Sequence, residues 1–473
     1  MKNVSAFLKR HSALLLLVLV LATVPAGIAF GKYVKSVKVT DKISITVSVA
    51  TPADNYTIDK DKMQRALKNL GAESTITELK FVRGSDVPNE VDATYETSIH
   101  DTRITPESGK IYAYRKGNVI YIAPADGVDK VMYAPKNSAY LFDSRYVGTV
   151  VESLTSISFD NLDTSKVTNM SSMFYQCKSL SSLDLRNFDT RNVTDMSEMF
   201  YMFNGNTALT KLDLSSFNTS KVTTMMGMFQ GCTLLPELDV SNFNTSNVTN
   251  MQSMFETCKG LTTLDLRNFK TSKVTTMSSM FQDCRGLTSL NVSSFDTSKV
   301  TSMAFIFRAC TALPTLDVSN FKTSNVTSMQ GMFDTCRSLT SLDVSSFNTS
   351  KAKSMENMFR SCSSLTTLDL SSFDVAYNCA KASMFEGSTN LKTIYAAQDW
   401  EVKGSSTGMN MFKNCTSLEG GNGTKYSSSN TYLTYARIDD PVNGKPGYFT
   451  DIKAKSTSSA IGYNEASGFG LAS

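Results

Sequence analysis

Histidine is almost absent from this chain, which has only His11 and His100 among 473 residues. Serine and cysteine nucleophiles usually need a histidine base. Because His11 lies within residues 1–30, the predicted export segment, such chemistry would depend on His100 alone. The sequence also lacks an HExxH motif, paired-cysteine metal spacing and a P-loop. We therefore predict no catalytic residue, no metal site and no cofactor.

Uncompensated positive charge is also scarce. Lys and Arg number 47 against 43 Asp and Glu, which leaves a formal net charge of +4. The basic residues are scattered, and no basic run lies outside the N-terminus, so we expect no nucleic-acid partner. Proteins that bind nucleic acid usually carry a concentrated basic patch.

Long apolar runs are absent beyond residue 30. Lys2, Lys9 and Arg10 precede an apolar run over residues 13–30, which is typical of a secretory signal peptide over residues 1–30. The run is also just long enough for an uncleaved membrane anchor. Both alternatives predict an extracellular protein, at the cell surface or secreted, whose only membrane contact would be this segment.

A 26-residue repeat occupies more than half of the chain. Its most regular residue is a phenylalanine that usually follows Met, and the step from Phe200 to Phe229 is longer because extra residues lie between Tyr201 and Thr207. The repeated residues are Phe174, Phe200, Phe229, Phe255, Phe281, Phe307, Phe333, Phe359, Phe385 and Phe412. A fixed period of this size is typical of stacked repeats that bury a shared core.

Each repeat changes its apolar spacing partway along. From Val167 to Leu180 the apolar residues recur mostly every third position, which predicts a short helix, whereas Leu183 and Leu185 alternate with Asp184 as in a strand. The expected fold class is therefore an α/β repeat, a solenoid of about ten turns with a parallel sheet on one side. A small α+β leader domain would cover its N-terminal end.

The repeat pattern resembles that of the BspA-like leucine-rich-repeat surface proteins. The resemblance rests on the L-x-x-L-x-L core at 180–185, on the fuller N-F-[DN]-T-S-[KN]-V-T-x-M-x-x-M-F-x-x-C pattern, on Tyr140-Leu141-Phe142, and on the closing segment near 420–449. It implies a solenoid fold, a cell-surface location and binding to proteins of a host or neighbouring cell.

The flanking segments give the expected domain organisation. Residues 31–150 are predicted to form the leader domain, with alternating residues at 43–49, a helix over 59–70 and a hairpin over 111–122. The solenoid covers 151–418, a C-terminal cap covers 419–452, and 453–473 is a Ser-, Ala- and Gly-rich tail expected to be disordered. Gly420 to Gly423 is predicted to be a turn.

Eight cysteines share one position of the repeat, three residues after the core phenylalanine. They are Cys177, Cys232, Cys258, Cys284, Cys310, Cys336, Cys362 and Cys415, while Phe203 and Ser388 take the place in two copies and Cys379 is off register. Because this position belongs to the apolar face, we predict free, buried thiols rather than disulfides. The repeated methionines are likewise predicted to fill the core.

One polar position recurs in the middle of each predicted strand, and we call this set the Asp column. Strand alternation points its side chains outward, where neighbouring carboxylates about 5 Å apart would repel. Either hydroxyls and water absorb this repulsion, or the column attracts cations or a basic partner. The tentative ligand-binding residues are Asp184, Asp213, Asp239, Asp265, Asn291, Asp317, Asp343 and Asp369.

These features predict a non-enzymatic, monomeric binding protein with an adhesin-like role. Paired carboxylates can catalyse without histidine, but acids that recur with the repeat do not mark one active site. The expected partners are surface or matrix proteins of a host or neighbouring cell. The alternative is a purely structural cell-envelope spacer. Protein ligands usually engage aromatic and arginine anchors, and the outward face of the predicted sheet, which carries the Asp column, has few of them.

Overall fold

The computed structural model describes residues 34–39, 45–49, 56–72, 75–95, 111–124, 130–202, 208–374, 379–400 and 408–455. The expectations for residues 1–30, for His11, His100 and Phe203, and for the tail after 455 lie outside these ranges. Within them, no helix is both long and apolar enough to cross a membrane.

The chain divides into two compact units. The first comprises residues 1–55 and 101–109. Its described part consists of β1 (Val34–Val39) and β2 (Ile45–Val49), which pair antiparallel. The second comprises residues 56–100 and 110–473, and everything below concerns this second unit.

The second unit begins with a helix and a mixed sheet. Helix α1 (Lys60–Leu70) is capped by the Asp59 side chain, which accepts a hydrogen bond from the Lys62 backbone N–H, and it ends at Gly71. Strands β5 (Ile111–Lys116) and β6 (Val119–Pro124) form the predicted hairpin. The predictions of this helix and this hairpin are confirmed.

The sheet continues from this region into the first repeats. Its order is β10-β8-β3-β6-β5-β4, where β3 is Glu78–Phe81, β4 is Ala93–Tyr95, β8 is Ser156–Ser158 and β10 is Ser182–Leu183. Two further strands, β7 (Met132–Tyr133) and β9 (Leu162–Asp163), pair parallel. Helices α2 (Ser144–Val147) and α3 (Thr149–Ser153) precede β8. Strands from before and after residue 150 therefore belong to one hydrogen-bonded sheet.

The predicted helix in each repeat is wrong. Between Leu162 and Thr431 the described residues contain no helix, and the Met-x-x-Met-Phe-x-x-Cys stretch, here called the turn segment, is a pair of tight turns. In one copy Ser253 and Thr257 have left-handed backbone angles, with φ of 56° and 62°, which no right-handed helix contains. Turns of this size place apolar side chains inward every three or four residues, as a helix does.

The hydrogen bonds of the turn segment alternate between two directions. The backbone N–H groups of Met251, Ser253 and Phe255 donate to carbonyls of the following repeat, whereas those of Met254 and Cys258 donate within their own repeat. Bonding every second N–H to a neighbouring chain segment is the pattern of a parallel sheet. Successive repeats are therefore joined through their turns.

A continuous parallel ladder lies just before the turn segment, and the Asp column is not part of it. Single bridges connect one residue per repeat, namely Asn137, Asn169, Asp195, Thr224, Asn250, Thr276, Ser302, Ser328, Ser354 and Ala380. Within the described ranges, members of the Asp column belong to strands only in β11 (Thr263–Asp265), β12 (Ser289–Asn291) and β13 (Thr367–Asp369), and β10 ends just before Asp184. The molecule is thus a repeated structure with small sheets, few helices and many turns.

The phenylalanines of the turn segments form one buried stack, as predicted. It begins at Phe142, continues through the ten repeated rings and has centroid spacings of 5.6–5.8 Å. The stack is unbroken from Phe200 to Phe229, at 5.7 Å. Residues 203–207 of the predicted bulge lie outside the described ranges.

A buried threonine column ties each repeat to the next one. The Thr245 hydroxyl donates to the Lys270 carbonyl at 3.1 Å and accepts from the Lys270 N–H at 2.7 Å. The same two-way contact joins Thr219 to Asn244 and Thr323 to Asn348. One hydroxyl thereby forms hydrogen bonds with both the backbone N–H and the backbone C=O of a residue that has no strand partner there.

The C-terminal cap is formed by β14 (Thr393–Ala396), β15 (Phe449–Asp451) and the loops around a buried carboxylate. Asp439 accepts hydrogen bonds from the backbone N–H groups of Asn422, Thr424 and Gly447. The predicted turn at Gly420 to Gly423 is confirmed, and it positions the N–H groups of Asn422 and Thr424 beside the Asp439 carboxylate. Tyr448 closes the phenylalanine stack edge-on against Phe412, at 5.1 Å.

All nine cysteines are buried and none is in a disulfide, which confirms the predicted burial. The repeat cysteines also act as hydrogen-bond donors, which the sequence argument missed. The Cys258 Sγ lies 3.1 Å from the Phe229 carbonyl of the preceding repeat, and Ser388, at the same repeat position, donates to the Phe359 carbonyl at 2.7 Å. This position therefore selects a small side chain that carries a donor.

We predict that thiol reagents will label the native protein very slowly. Burial raises the pKa of Cys232, Cys336 and Cys415 to about 12, so the reactive thiolate is almost absent at pH 8. Ellman's reagent should count nine thiols per chain in denaturant without reductant and should react in buffer only as fast as the fold opens. Rapid native labelling of several thiols, or a deficit in denaturant, would contradict this.

Candidate binding face

The Asp column lies on the surface, as the alternation predicted. Its first seven residues are exposed, and Asp369 is half-buried. In each copy an Oδ1 atom accepts a hydrogen bond from the backbone N–H two residues later, for example Ser241 N–H to Asp239 and Ser293 N–H to Asn291, both at 2.9 Å. Each side chain thus closes a local turn as well as facing solvent.

These hydrogen bonds keep the carboxylates of the Asp column ionised. Donation by Ser241, Ser319 and Ser345 lowers the pKa values of Asp239, Asp317 and Asp343, respectively. The neighbouring carboxylates act in the opposite direction on the pKa of Asp239, but they do not outweigh the donors. The column therefore carries negative charge at every physiological pH.

Three members of the column have a cation beside them. Arg186 binds Asp184 and Arg267 binds Asp265, each with a shortest contact of 2.6 Å, and these contacts lower the pKa of both carboxylates to about 2. Lys455 binds Asp369 at 2.7 Å, although the tail containing it was predicted to be disordered. At these three positions a basic side chain of the protein offsets the repulsion within the column.

Four further carboxylates, two on each side of Asp265 and Asn291, have no such partner in the described residues. No ion pair involves Asp213, Asp239, Asp317 or Asp343 there. The residue after the core phenylalanine behaves differently: Arg308 and Arg360 both approach Asp334, at 3.1 and 4.0 Å. One surface column is thus neutralised between repeats, whereas the Asp column keeps uncompensated charge.

A groove of about 380 Å³ lies at the N-terminal end of the Asp column. Sequence reasoning missed it because its walls come from β3, β8, β10 and the repeat that contains residue 213. Its lining includes Lys80, Ser156, Ser182, Asp184, Arg186, Lys211 and Asp213. In the described residues, no group of three or more histidine, cysteine or acidic side chains is arranged to hold a metal.

We predict that the Asp column makes the fold sensitive to acid. A carboxylate whose pKa is lower in the folded than in the unfolded state stabilises the fold above about pH 4, and the contribution disappears as the pH falls through the folded pKa. Replacing Asp239, Asp317 and Asp343 by Asn keeps the acceptor, as Asn291 does, but removes the titration. The variant should therefore lose less stability between pH 5 and 3, by roughly a few tenths of a kcal/mol per exposed residue.

Urea unfolding at pH 7, 5, 4 and 3 measures this effect. The reverse substitution Asn291→Asp adds a carboxylate with the same Ser293 donor and should steepen the loss on acidification. Parallel pH profiles for the parent and the two variants would show that these carboxylates do not couple folding to pH.

One protein-family profile matches the repeats. It is described as "Mycoplasma protein of unknown function, DUF285", and it matches residues 148–237, 201–314 and 303–426. These overlapping matches form a continuous stretch over 148–426, more than half of the chain. No curated protein matches the sequence.

Proposed function

The chain belongs to the DUF285 family, and from that premise we propose that it is a non-enzymatic binding protein displayed on, or released from, the cell surface. Its repeats would form a leucine-rich-repeat solenoid of the BspA-like type, and the face that carries the Asp column would bind a partner protein. The expected partner is a surface or matrix protein of a host or neighbouring cell with a basic contact surface.

The uncompensated carboxylates on either side of Asp265 and Asn291 carry this proposal. Asp239, Asp317 and Asp343 are exposed, ionised and without an ion pair in the described residues. Asp317 and Asp343 lie in consecutive repeats whose phenylalanine rings are 5.8 Å apart, and Asp213 and Asp239 are related in the same way, at 5.7 Å, so the charges add within each pair. A row of like charges attracts an oppositely charged partner and increases its association rate.

The N-terminal apolar segment, if it is a signal peptide or an anchor, places this face outside the cell, and the two alternatives predict different retention. A cleaved chain would be released or held by non-covalent contacts, whereas an anchored chain would fractionate with the membrane. The proposed binding face is the same in both cases, because it belongs to the repeats.

A structural spacer is the second candidate, and one observation favours it. Every member of the Asp column accepts a backbone hydrogen bond two residues along, so the repeat would need an acceptor there even without a ligand. Asn291 shows, however, that a neutral amide fills this local role. The need for an acceptor therefore does not explain why the other seven residues are charged.

The test compares two triple variants with the same change in charge. One replaces Asp239, Asp317 and Asp343 by Asn. The control replaces Asp189, Asp296 and Asp374, which occupy a different repeat position where Asn218, Asn244 and Asn348 occur naturally. Residues 31–455 of each protein are immobilised and exposed to detergent-solubilised host-cell surface proteins and matrix proteins at 50 and 300 mM salt.

Both variants should melt within a few degrees of the parent. The column variant should bind the parent's partner several-fold more weakly at low salt and should lose most of the salt dependence, because screening already weakens the charge attraction at 300 mM. The control should bind like the parent. Equal binding by both variants would place the binding surface elsewhere, and the absence of any partner of the parent would favour the spacer.

A further inference from the structure

We propose that the groove at the N-terminal end of the Asp column, together with tyrosines on the adjoining strands, binds a neutral saccharide. The site lies at the N-terminal end of the face proposed above to bind protein, and it does not include Asp239, Asp317 or Asp343. It combines a depression of about 380 Å³, which is in the usual range for small-ligand sites, with hydrogen-bonding groups of both kinds and aromatic rings.

The groove offers donors and acceptors side by side. Arg186 and Lys211 line it as donors, Asp184 and Asp213 as acceptors, and the hydroxyls of Ser156 and Ser182 serve as both. Ser156 and Ser182 are direct partners in the β8–β10 register. Sugar hydroxyls also donate and accept, so a mixed set of this kind matches them better than a set of one type.

The existing ion pair leaves Arg186 able to bind a ligand. Its Nε and Nη2 atoms contact the Asp184 carboxylate, while the Arg186 side chain is 73% exposed. A guanidinium has five N–H donors, so several remain directed at solvent. The pair holds the arginine in place with part of its hydrogen-bonding capacity unused.

Tyrosines continue the same outward face of the sheet. Strand register places Ser158 beside Lys80, Lys80 beside Tyr121, and Tyr121 beside Tyr114. The Tyr112 and Tyr114 ring centroids are 6.0 Å apart, and all three tyrosines are half-buried. Adjacent strands are about 4.8 Å apart, so Tyr121 is one strand away from Lys80, which lines the groove. An aromatic ring with a polar tip can cover the apolar face of a sugar.

The charge balance favours a neutral ligand over an anion. The groove is lined by three basic side chains and two carboxylates, and Lys80 is already paired with Glu78 at 2.7 Å. An added anion would gain little net attraction and would meet Asp184 and Asp213. A polyhydroxylated neutral ligand can use both signs of charge through hydrogen bonds.

The groove also contains a residue, Lys211, that differs from the residues at the same repeat position in most other copies. The repeat position of Lys211 holds Ser182, Thr263, Ser289, Thr315, Ser341 or Thr367 in other copies, with Glu237 as the other exception. Lys211 therefore adds a cation next to Arg186 at a repeat position that is usually Ser or Thr, and Lys80, from outside the repeats, adds a third cation. Three cations from three different elements thus converge on one depression.

The test screens the protein on an array of neutral hexose and N-acetylhexosamine oligosaccharides, with sialylated and sulfated ones alongside. Calorimetry then measures Kd for the strongest neutral oligosaccharide. Arg186→Gln should weaken that binding about tenfold, as expected for one lost hydrogen bond to a charged group. Arg267→Gln is the matched control, because Arg267 makes the same contact with its own Asp265 outside the groove. Tyr121→Phe should stay within about threefold of the parent, and Tyr121→Leu should lose about tenfold.

Three results would overturn this proposal. One is an array on which no neutral oligosaccharide binds the parent, and another is an equal loss in Arg186→Gln and Arg267→Gln. The third is binding of sulfated probes alone that disappears in 0.5 M salt regardless of residue 121, which would indicate charge adsorption. The Asp239, Asp317 and Asp343 triple variant leaves the groove intact and should bind the oligosaccharide like the parent, so the two proposals can fail independently.

Discussion

Replacing Phe281 by alanine is expected to destabilise the protein by about 3–5 kcal/mol, the usual cost of truncating a buried phenylalanine. The ring is fully buried and is stacked between Phe255 and Phe307, at centroid distances of 5.8 and 5.7 Å. Because each repeat contacts mainly its neighbours, the cavity also weakens the packing that couples the two halves of the stack. Unfolding should therefore become less cooperative.

Two probes can separate the halves during urea unfolding. Trp400 is the only tryptophan in the chain, and it stacks on Phe373 and Phe385 near the C-terminal end, so its fluorescence follows that end, whereas far-UV circular dichroism follows the whole chain. In the Phe281→Ala variant the two transitions should no longer coincide.

Phe305→Ala is the matched control. Phe305 belongs to the following turn segment, but its ring is on the outside, within 5.5 Å of the Arg308 guanidinium, and it is only half-buried. Its truncation should cost less than about 1 kcal/mol, as is usual for surface substitutions. Equal effects of the two substitutions, or coincident transitions in Phe281→Ala, would contradict the stacked-core account.

The second large effect is expected for Gly231→Ala, which should cost about 2–5 kcal/mol. Gly231 has a φ of +81°, and a Cβ atom there would lie 1.9 Å from the Met202 carbonyl oxygen. The left-handed conformation alone costs an L-residue about 1–2 kcal/mol, and the backbone of the preceding repeat must also move, which adds about 1–3 kcal/mol.

Gly227→Ala separates these two contributions. Gly227 is also left-handed, with φ of +59°, but its nearest neighbours are side-chain atoms, Gln230 Oε1 at 3.1 Å and Glu198 Cγ at 3.3 Å. Its substitution should cost only the conformational part, about 1–2 kcal/mol. Equal unfolding midpoints for the two alanine variants would mean that the contact with Met202 relaxes freely.

The sequence was sufficient to predict the buried phenylalanine stack, because a repeated large apolar residue has no other place in stacked units. It was insufficient for the backbone of the turn segment, because turns and helices both bring apolar residues inward every three or four positions. A usable signal was present nonetheless. Gly227, Gly331, Asn357 and Asn410 occupy the first left-handed position in their copies, and glycine and asparagine are the residues that adopt this conformation most readily.

The binding face was predictable only in part. Strand alternation places the Asp column outward, since the leucines beside each aspartate must be buried. Other features depend on residues that are far apart in the chain. Asp369 pairs with Lys455, and Lys80 and Lys211 line the same groove. No local pattern in a single sequence specifies which distant side chains meet, so the groove became visible only in the fold.

Carboxyl footprinting in the presence of the bound partner tests the central claim most directly. A carbodiimide with an amine label modifies exposed carboxylates, and mass spectrometry then measures the extent of labelling at each residue. The account predicts that a partner captured by the parent protein protects Asp239, Asp317 and Asp343 and leaves labelling of Asp189, Asp296 and Asp374 unchanged. Protection confined to the second set, or equal labelling of the Asp column with and without the partner, would contradict the proposal that this face binds it.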